Sequence, residues 1–121
     1  MEKRLQCEHK TEHELTVQRV KEEILSSADI EKVCKIFHLL SEPSRMKIVL
    51  ALLKGEMCVY HLAEVSDGTV SGVSHQLRVL RDNKIVKAKR FGKNVEYSIA
   101  DGHIRNIVET ALRHLCCRVE E

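Results

Sequence analysis

Tryptophan is missing from this 121-residue chain, and two tyrosines and two phenylalanines make up all of its aromatic surface. Proteins that grip single-stranded nucleic acid stack bases on aromatic rings, so this small supply argues against that class. Proline occurs once, at Pro43, and glycine five times. No internal repeat or low-complexity tract breaks the chain, and helix should dominate it. The longest apolar run, Ile48 to Leu53, is far too short to span a bilayer. The first twenty residues alternate charges and histidines where a secretion signal needs an apolar stretch, so a cytoplasmic protein without membrane contact is expected. There is no Gly-rich phosphate cradle, no zinc-protease motif and no Cys-x-x-Cys pair. A cysteine hydrolase or thiol oxidoreductase would need a nucleophile, an orienting base and a third group. The chain is expected to be no enzyme and to take no small-molecule substrate.

What the chain does contain is charge and thiols. Charged residues make up 31% of it and apolar residues 43%, the balance of one soluble globular domain. Five cysteines are an odd count, and without a secretion signal they read as thiols or metal ligands rather than a disulfide frame. The net charge of +2 is unevenly spread. Residues 78–93 carry seven Lys/Arg against one Asp, a local +6, and the remainder carries −4. A basic cluster in an otherwise acidic chain is the footprint of a polyanion-binding face.

Residues 1–13 hold Cys7, His9 and His13 among polar neighbours and are expected to form a mobile arm, with the domain proper over 14–121. A helix from about Glu14 to Leu25 leads to a turn and cap at Ser26, Ser27 and Asp29, then to a helix with Ile30, Val33, Phe37 and Leu40 at helical spacing. Cys34 and His38 stand four apart on it, but its apolar face accounts for the cysteine as core packing. Glu42-Pro43 restarts the chain into Ser44–Lys54, the core helix, nearly solid with Ile, Val, Leu and Ala. Gly55 ends it. Met57 to Val65 predicts a short helix, Ser66-Asp67-Gly68-Thr69 a turn, and Val70 to Asp82 a further helix that buries Val73, Leu77 and Leu80.

Two short helices about a tight turn describe a helix-turn-helix. The outward residues of the second are Ser71, Gly72, Ser74, His75, Gln76 and Arg78, groups that reach phosphates and base edges, with Gln76 able to pair bidentately with adenine. His75 belongs with this set rather than with metal ligands, because its neighbours are polar and no cysteine or carboxylate of the element lies at ligand spacing. Val86, Ala88 and then Val95, Tyr97, Ile99 alternate around Phe91-Gly92-Lys93-Asn94, which predicts a two-stranded hairpin. Lys87, Lys89, Arg90 and Lys93 along this wing would neutralise flanking phosphates. The expected fold is mainly α with a small β-hairpin, a winged helix-turn-helix.

The last helix carries a second kind of chemistry. Asp101 and His103 open it, and His114 and Cys117 follow eleven and fourteen residues after that histidine. Asp101 is also a good N-cap for the apolar stripe Ile104, Ile107, Val108, Ala111, Leu112 and Leu115. Eleven residues turn a helix through roughly 1100°, so the two histidines share a stripe within about 20° but lie roughly 16 Å apart along the axis. One helix cannot wrap one ion with both pairs. Two copies packed antiparallel about a two-fold axis would join each Asp-x-His end to the other's His-x-x-Cys end, giving a dimer with two intersubunit sites. Cys116 lies about 100° around the helix from Cys117 and reads as an incidental thiol.

Over residues 29–117 the chain resembles the ArsR/SmtB family of metal-responsive winged-helix repressors. The resemblance is carried by Ser41-Glu42-Pro43-Ser44-Arg45, the block Glu56-Met57-Cys58-Val59-Tyr60-His61-Leu62-Ala63, the run Val73-Ser74-His75-Gln76-Leu77-Arg78-Val79-Leu80-Arg81, the hairpin and the final helix. The SmtB-like zinc-sensing branch is the nearest in pattern, and it implies Asp101, His103, His114 and Cys117 as a ligand set. Those sensors usually place Glu or His where this chain has Cys117, a thiolate that still suits zinc but shifts preference toward softer ions such as cadmium. The resemblance also implies a second site joining Cys58 and His61 to the other subunit's arm, with Cys7 and either His9 or His13 supplying the rest. Cys58 and His61, three apart on one helical face, would chelate in cis. Arsenic and lead members carry Cys-x-Cys in this block, and Tyr60 stands here in place of the second cysteine, which argues against an arsenic sensor.

The function so implied is a homodimer, with N- and C-terminal dimerisation helices, that represses from double-stranded operator DNA. It would let go on binding Zn(II), or Cd(II), Co(II) or Pb(II), and so free metal efflux or sequestration genes. The alternative on the same fold is a thiol-redox or persulfide-responsive repressor acting through Cys58, Cys116 or Cys117. A zinc-buffering protein with no DNA role leaves the +6 segment unexplained.

Overall fold

The computed structural model describes residues 10–118, with side chains from 11 to 116. The chain divides into two compact units, residues 1–34 and 35–121. The first holds α1 (Lys10–Glu23) and the start of α2 (Ser27–Ser41). Ser26 caps α2, its Oγ accepting the Asp29 N–H at 3.3 Å and donating to Asp29 Oδ2 at 3.0 Å, which satisfies one of the helix's free N–H groups. Leu15 and Val20 on α1 are exposed, as are Ile30 and Val33 on α2. Cys34, expected in the core, is exposed as well. The buried residues of α2 are Leu39 and Leu40, in its last turn, so the stripe that was to cover the cysteine is itself uncovered.

The second unit continues through α3 (Pro43–Leu52), β1 (Met57–Cys58), α4 (Val59–Ser66), α5 (Val70–Asp82), β2 (Val86–Phe91), β3 (Asn94–Ile99) and α6 (Gly102–Arg118). Pro43 occupies the first turn of α3, where its missing N–H costs nothing. The Glu42 carboxylate caps the helix, accepting from Ser44 N at 3.1 Å, Arg45 N at 3.3 Å and the Ser44 hydroxyl. These bonds, the Ser44 hydroxyl first, hold the Glu42 carboxyl below its ordinary range. A folded value depressed in this way makes the cap fully effective above the unfolded value, and its contribution is lost as the pH falls through the lowered one. Ile48, Val49 and Leu52 are at most 1% exposed, so α3 is the centre of the core, with Leu62, Leu77, Leu80 and Ile85 in the same cluster. Burying each such side chain stabilises the fold by about 1.5–3 kcal/mol.

The sheet differs from the expected two-stranded hairpin. It has three antiparallel strands in the order β1-β3-β2, with Met57 opposite Tyr97 and Cys58 opposite Glu96. Met57 and Cys58 are therefore strand, not the first turn of a helix. The edge of β3 away from β2 offers unpaired backbone groups, and the extended backbone of Cys58 (φ −86°, ψ 169°) takes them up before α4 begins. At the hairpin tip Phe91 faces Asn94 across two residues. Gly92 there has φ 61°, the conformation that a two-residue hairpin turn reserves for glycine.

Candidate metal centre and nucleic-acid interface

The turn between α4 and α5 is closed by Asp67, which has φ 57° and so ends α4 in the left-handed region. Thr69 then caps α5, its Oγ1 accepting from Gly72 N at 3.0 Å. Thr69→Ala is expected to destabilise the protein by about 1 kcal/mol, the usual worth of such a cap. Urea unfolding should show a lower midpoint at an unchanged slope. The cap sets the rotation of α5: Val73, Leu77 and Leu80 face the core, while Ser71, Ser74, His75 and Arg78 are exposed on the opposite side.

Gln76 is not among those outward side chains. It is half-buried, and its Nε2 donates to Ser44 Oγ at the start of α3, at 3.1 Å. Its Oε1 is closed off from solvent and, among the described residues, meets no hydrogen-bond donor. The helical period placed Gln76 among the outward residues, and its bond to Ser44 at the start of α3 turns it inward instead.

On the wing, Lys87, Lys89, Arg90 and Lys93 are all exposed. Alternation along β2 puts Lys87, Lys89 and Phe91 on one face and Arg90 on the other. The Lys89 ammonium lies 5.2 Å from the centre of the Phe91 ring, within cation–π range. The wing thus presents positive charge on both faces.

At the start of α6, Asp101 Oδ1 accepts the Ile104 N–H at 3.0 Å, so the residue does cap the helix. That bond, with the nearby His103, holds its carboxyl below the ordinary range. The second oxygen, Oδ2, lies 3.6 Å from His103 Nδ1, and both side chains are exposed. Donors about 2.0–2.1 Å from a tetrahedral ion sit roughly 3.3 Å apart, so this O,N pair fits a shared ion with a small adjustment. His114 is exposed at the other end of α6, on an apolar groove with Met46, Leu50 and Leu115. Cys117 falls in the last turn of α6, and its side chain lies outside the described residues. Among the described residues, no three His, Cys, Asp or Glu side chains come together in a geometry that could hold a metal ion.

Cys58 is half-buried on β1 and occupies the N-cap position of α4, though its side chain makes no capping bond. It is not on the helical face shared with His61, as the spacing suggested, because the helix starts one residue later. N-cap and third-residue side chains still neighbour each other, as capping boxes show, and His61 is exposed. The first helix, expected from about Glu14, starts at Lys10, so His13 lies on α1, where it is exposed; Cys7 and His9 lie outside the described residues. No helix among the described residues is long and apolar enough to cross a membrane.

The profile of the bacterial regulatory proteins of the arsR family matches residues 42–88, from the cap of α3 into β2. A transcriptional repressor SmtB homolog of Synechocystis is 38% identical over 109 residues, covering 90% of this chain and 83% of that protein. The chain belongs to the ArsR family. A cadmium resistance transcriptional regulatory protein CadC homolog of Staphylococcus aureus is 37% identical, with 89% of each chain covered. The homodimeric winged helix-turn-helix DNA-binding domain of a possible ArsR-family regulator from Mycobacterium bovis superposes with a TM-score of 0.72 over 81% of this chain and 94% of that one, at 22% identity. The fold is the winged helix-turn-helix of the ArsR family, with α4 and α5 as its helix-turn-helix and β2–β3 as its wing. Two residues without a role in the sequence reading take part in how this ArsR chain is built. Ser44 receives Gln76, and Arg105 reaches from α6 to the Leu53 carbonyl. An arginine followed four residues later by Glu109 was a visible sign of a held side chain, but its carbonyl partner 52 residues away was not.

Proposed function

We propose that this protein is a homodimeric metal-responsive transcriptional repressor, and not an enzyme, that occupies operator DNA when metal-free and releases it on binding Zn(II) or a similar divalent ion, Cd(II), Co(II) or Pb(II). Metal efflux or sequestration genes are then expressed. The observation that carries this reading is the exposed Asp101–His103 pair, two donors 3.6 Å apart on the helix that follows the basic wing. Its natural complement, His114 and Cys117, sits too far along the same helix to reach the same ion, so a second copy completes the set. The names of the relatives support both halves, one a repressor and one a regulator of cadmium resistance. Exposed Leu112 and Leu115 on α6 are apolar surface that a second copy would cover, and Leu15 and Val20 on α1 are likewise exposed. Cys58 and His61, with Cys7 and His9 or His13 of the other subunit's arm, form the second site of the same proposal. In it, residues 1–13 act as the arm and 14–121 as the DNA-binding and dimerising domain.

The physical link is spacing. An ion joining the two final helices fixes the distance between the two recognition helices, which has to match half-sites about one turn of DNA apart. A mismatch weakens both halves at once. The reduced protein should sediment as a dimer at micromolar concentration. Zn(II) added to its complex with the DNA upstream of its own gene should lower affinity by roughly 5- to 150-fold, the usual range of allosteric coupling. A monomer with and without metal, or an affinity indifferent to all four ions, overturns the reading. The thiol-based alternative draws on Cys116, a free and exposed cysteine. Metal content after anaerobic purification separates the two.

A further inference from the structure

Two side-chain hydrogen bonds among the described residues span 32 and 52 positions of the chain, and both end on α3. At its N-terminal end Gln76 of α5 donates to Ser44 Oγ at 3.1 Å. At its C-terminal end Arg105 of α6 donates to the Leu53 carbonyl at 3.2 Å. Between them Ile48, Val49 and Leu52 are shut into the core, and a close-packed helix passes on a displacement rather than absorbing it. We propose that α3 is a coupling rod between the final helix and the recognition helix, and that Arg105 and Ser44 are the positioning residues that clamp its two ends. The inference rests on α6 being the metal-binding helix.

Arg105 suits the role. A guanidinium bonded to the last carbonyls of a helix is charge-assisted and aligned with the helix dipole. Glu109 Oε2 lies 3.6 Å from the same Nη1 nitrogen and holds it beside the carbonyl. Arg105 stands two residues after His103, on the part of α6 anchored in the core by Ile104 and Val108. Beyond Val108 the helix loses that support, since Leu112 and Leu115 are exposed and an apolar groove of about 580 Å³ opens between α6 and Met46 and Leu50 of α3. A pull on His103 or on the far half of α6 therefore turns the helix about Arg105, and the clamp delivers that motion to the C-terminal end of α3.

The other end of the rod meets an element with two alternatives. Ser44 gives its own proton to Glu42 and is left to accept from Gln76. Among the described residues no donor reaches Gln76 Oε1 in this inward position, and a buried acceptor without a partner is costly. The amide is thus held inward by one bond and has a second bond to gain by turning outward to a base edge. Moving the start of α3 shifts that balance, which is the kind of bistable element that coupling between sites requires.

The test measures affinity for a labelled duplex of the DNA upstream of the chain's own gene, with and without saturating Zn(II), in full-length protein. Arg105→Gln leaves a neutral side chain too short to span to the Leu53 carbonyl, and Arg105→Ala removes the group altogether. Each should bind the duplex within about threefold of wild type in the absence of metal, and bind Zn(II), while the metal-dependent ratio drops from the roughly 5- to 150-fold expected of wild type to less than about twofold. Ser44→Ala should lose the ratio too. In the double variant Ser44→Ala/Arg105→Ala the ratio should stay where either single variant leaves it, because two clamps on one rod act in series and breaking either one cuts the path. Thermal unfolding checks that each variant is folded, and Arg105→Gln stands for the position if Arg105→Ala is not. A folded Arg105→Gln or Ser44→Ala with the full wild-type ratio overturns the inference and leaves the proposed function standing. A wild-type protein that ignores Zn(II) overturns both.

Discussion

His103→Ala is expected to leave metal-free operator affinity nearly intact while reducing the Zn(II)-dependent ratio to about one, from the roughly 5- to 150-fold typical of allosteric coupling. The side chain is 91% exposed and, among the described residues, its ion pair is with Asp101, so its loss should not disturb the fold. His114→Ala should behave the same way, because in a shared site it supplies the other subunit's half. Linkage adds a check that needs no variant: in wild type the duplex must weaken Zn(II) binding by the same factor by which Zn(II) weakens the duplex. Cys58→Ser is the contrasting variant. It should remove part of the thiolate absorption that Cd(II) produces and weaken soft-metal binding, yet leave zinc-dependent release working, since an ion at that site need not bridge the final helices. If Cys58→Ser abolishes release and His103→Ala does not, the regulatory site is the one at Cys58, and the argument from helix spacing fails.

The helix-turn-helix was legible because its signals are local. Thr69 before Val70, the Asp67-Gly68 turn, and Val73, Leu77 and Leu80 at helical spacing all lie within one short stretch, and the structure reproduces the bounds of α5 to the residue. The Asp101 cap was legible for the same reason. What escaped were features that depend on a distant neighbour. Met57 and Cys58 carry a pattern suited to a helix start, and the edge of β3, nearly forty positions later, draws them into the sheet instead. Gln76 sits at the margin of the exposed stripe, and the Ser44 hydroxyl decides which way it faces. Cys34 was assigned to a core that α2 enters through Leu39 and Leu40. The apolar stripe beside it is real, but periodicity reports which residues share a face and not whether anything covers that face.

Replacing Lys89, Arg90 and Lys93 together with alanine should weaken binding to cognate and random duplexes alike, by at least about a hundredfold at low salt. The reason is counterion release: each phosphate neutralised contributes about 0.9 to the slope of log affinity against log salt. A dimer carries every substitution twice, so three residues stand for up to six contacts, and the slope should flatten by as much as about 5. All three side chains are exposed on the wing, where Phe91 holds the Lys89 ammonium in place through its ring. None is buried, so thermal stability should barely change. Gln76→Ala separates charge from readout. If the amide leaves Ser44 and pairs with a base in the complex, the variant should lose roughly 1–3 kcal/mol on the cognate duplex and little on random DNA. The inward position in the free protein sharpens that contrast, because the bond to Ser44 must be given up on binding and the observed loss is what remains after that exchange. Equal losses on both duplexes mean that Gln76 serves the packing of α5 against α3 and reads no base. A salt slope left unchanged by the triple replacement means that the wing does not lie on the phosphates at all.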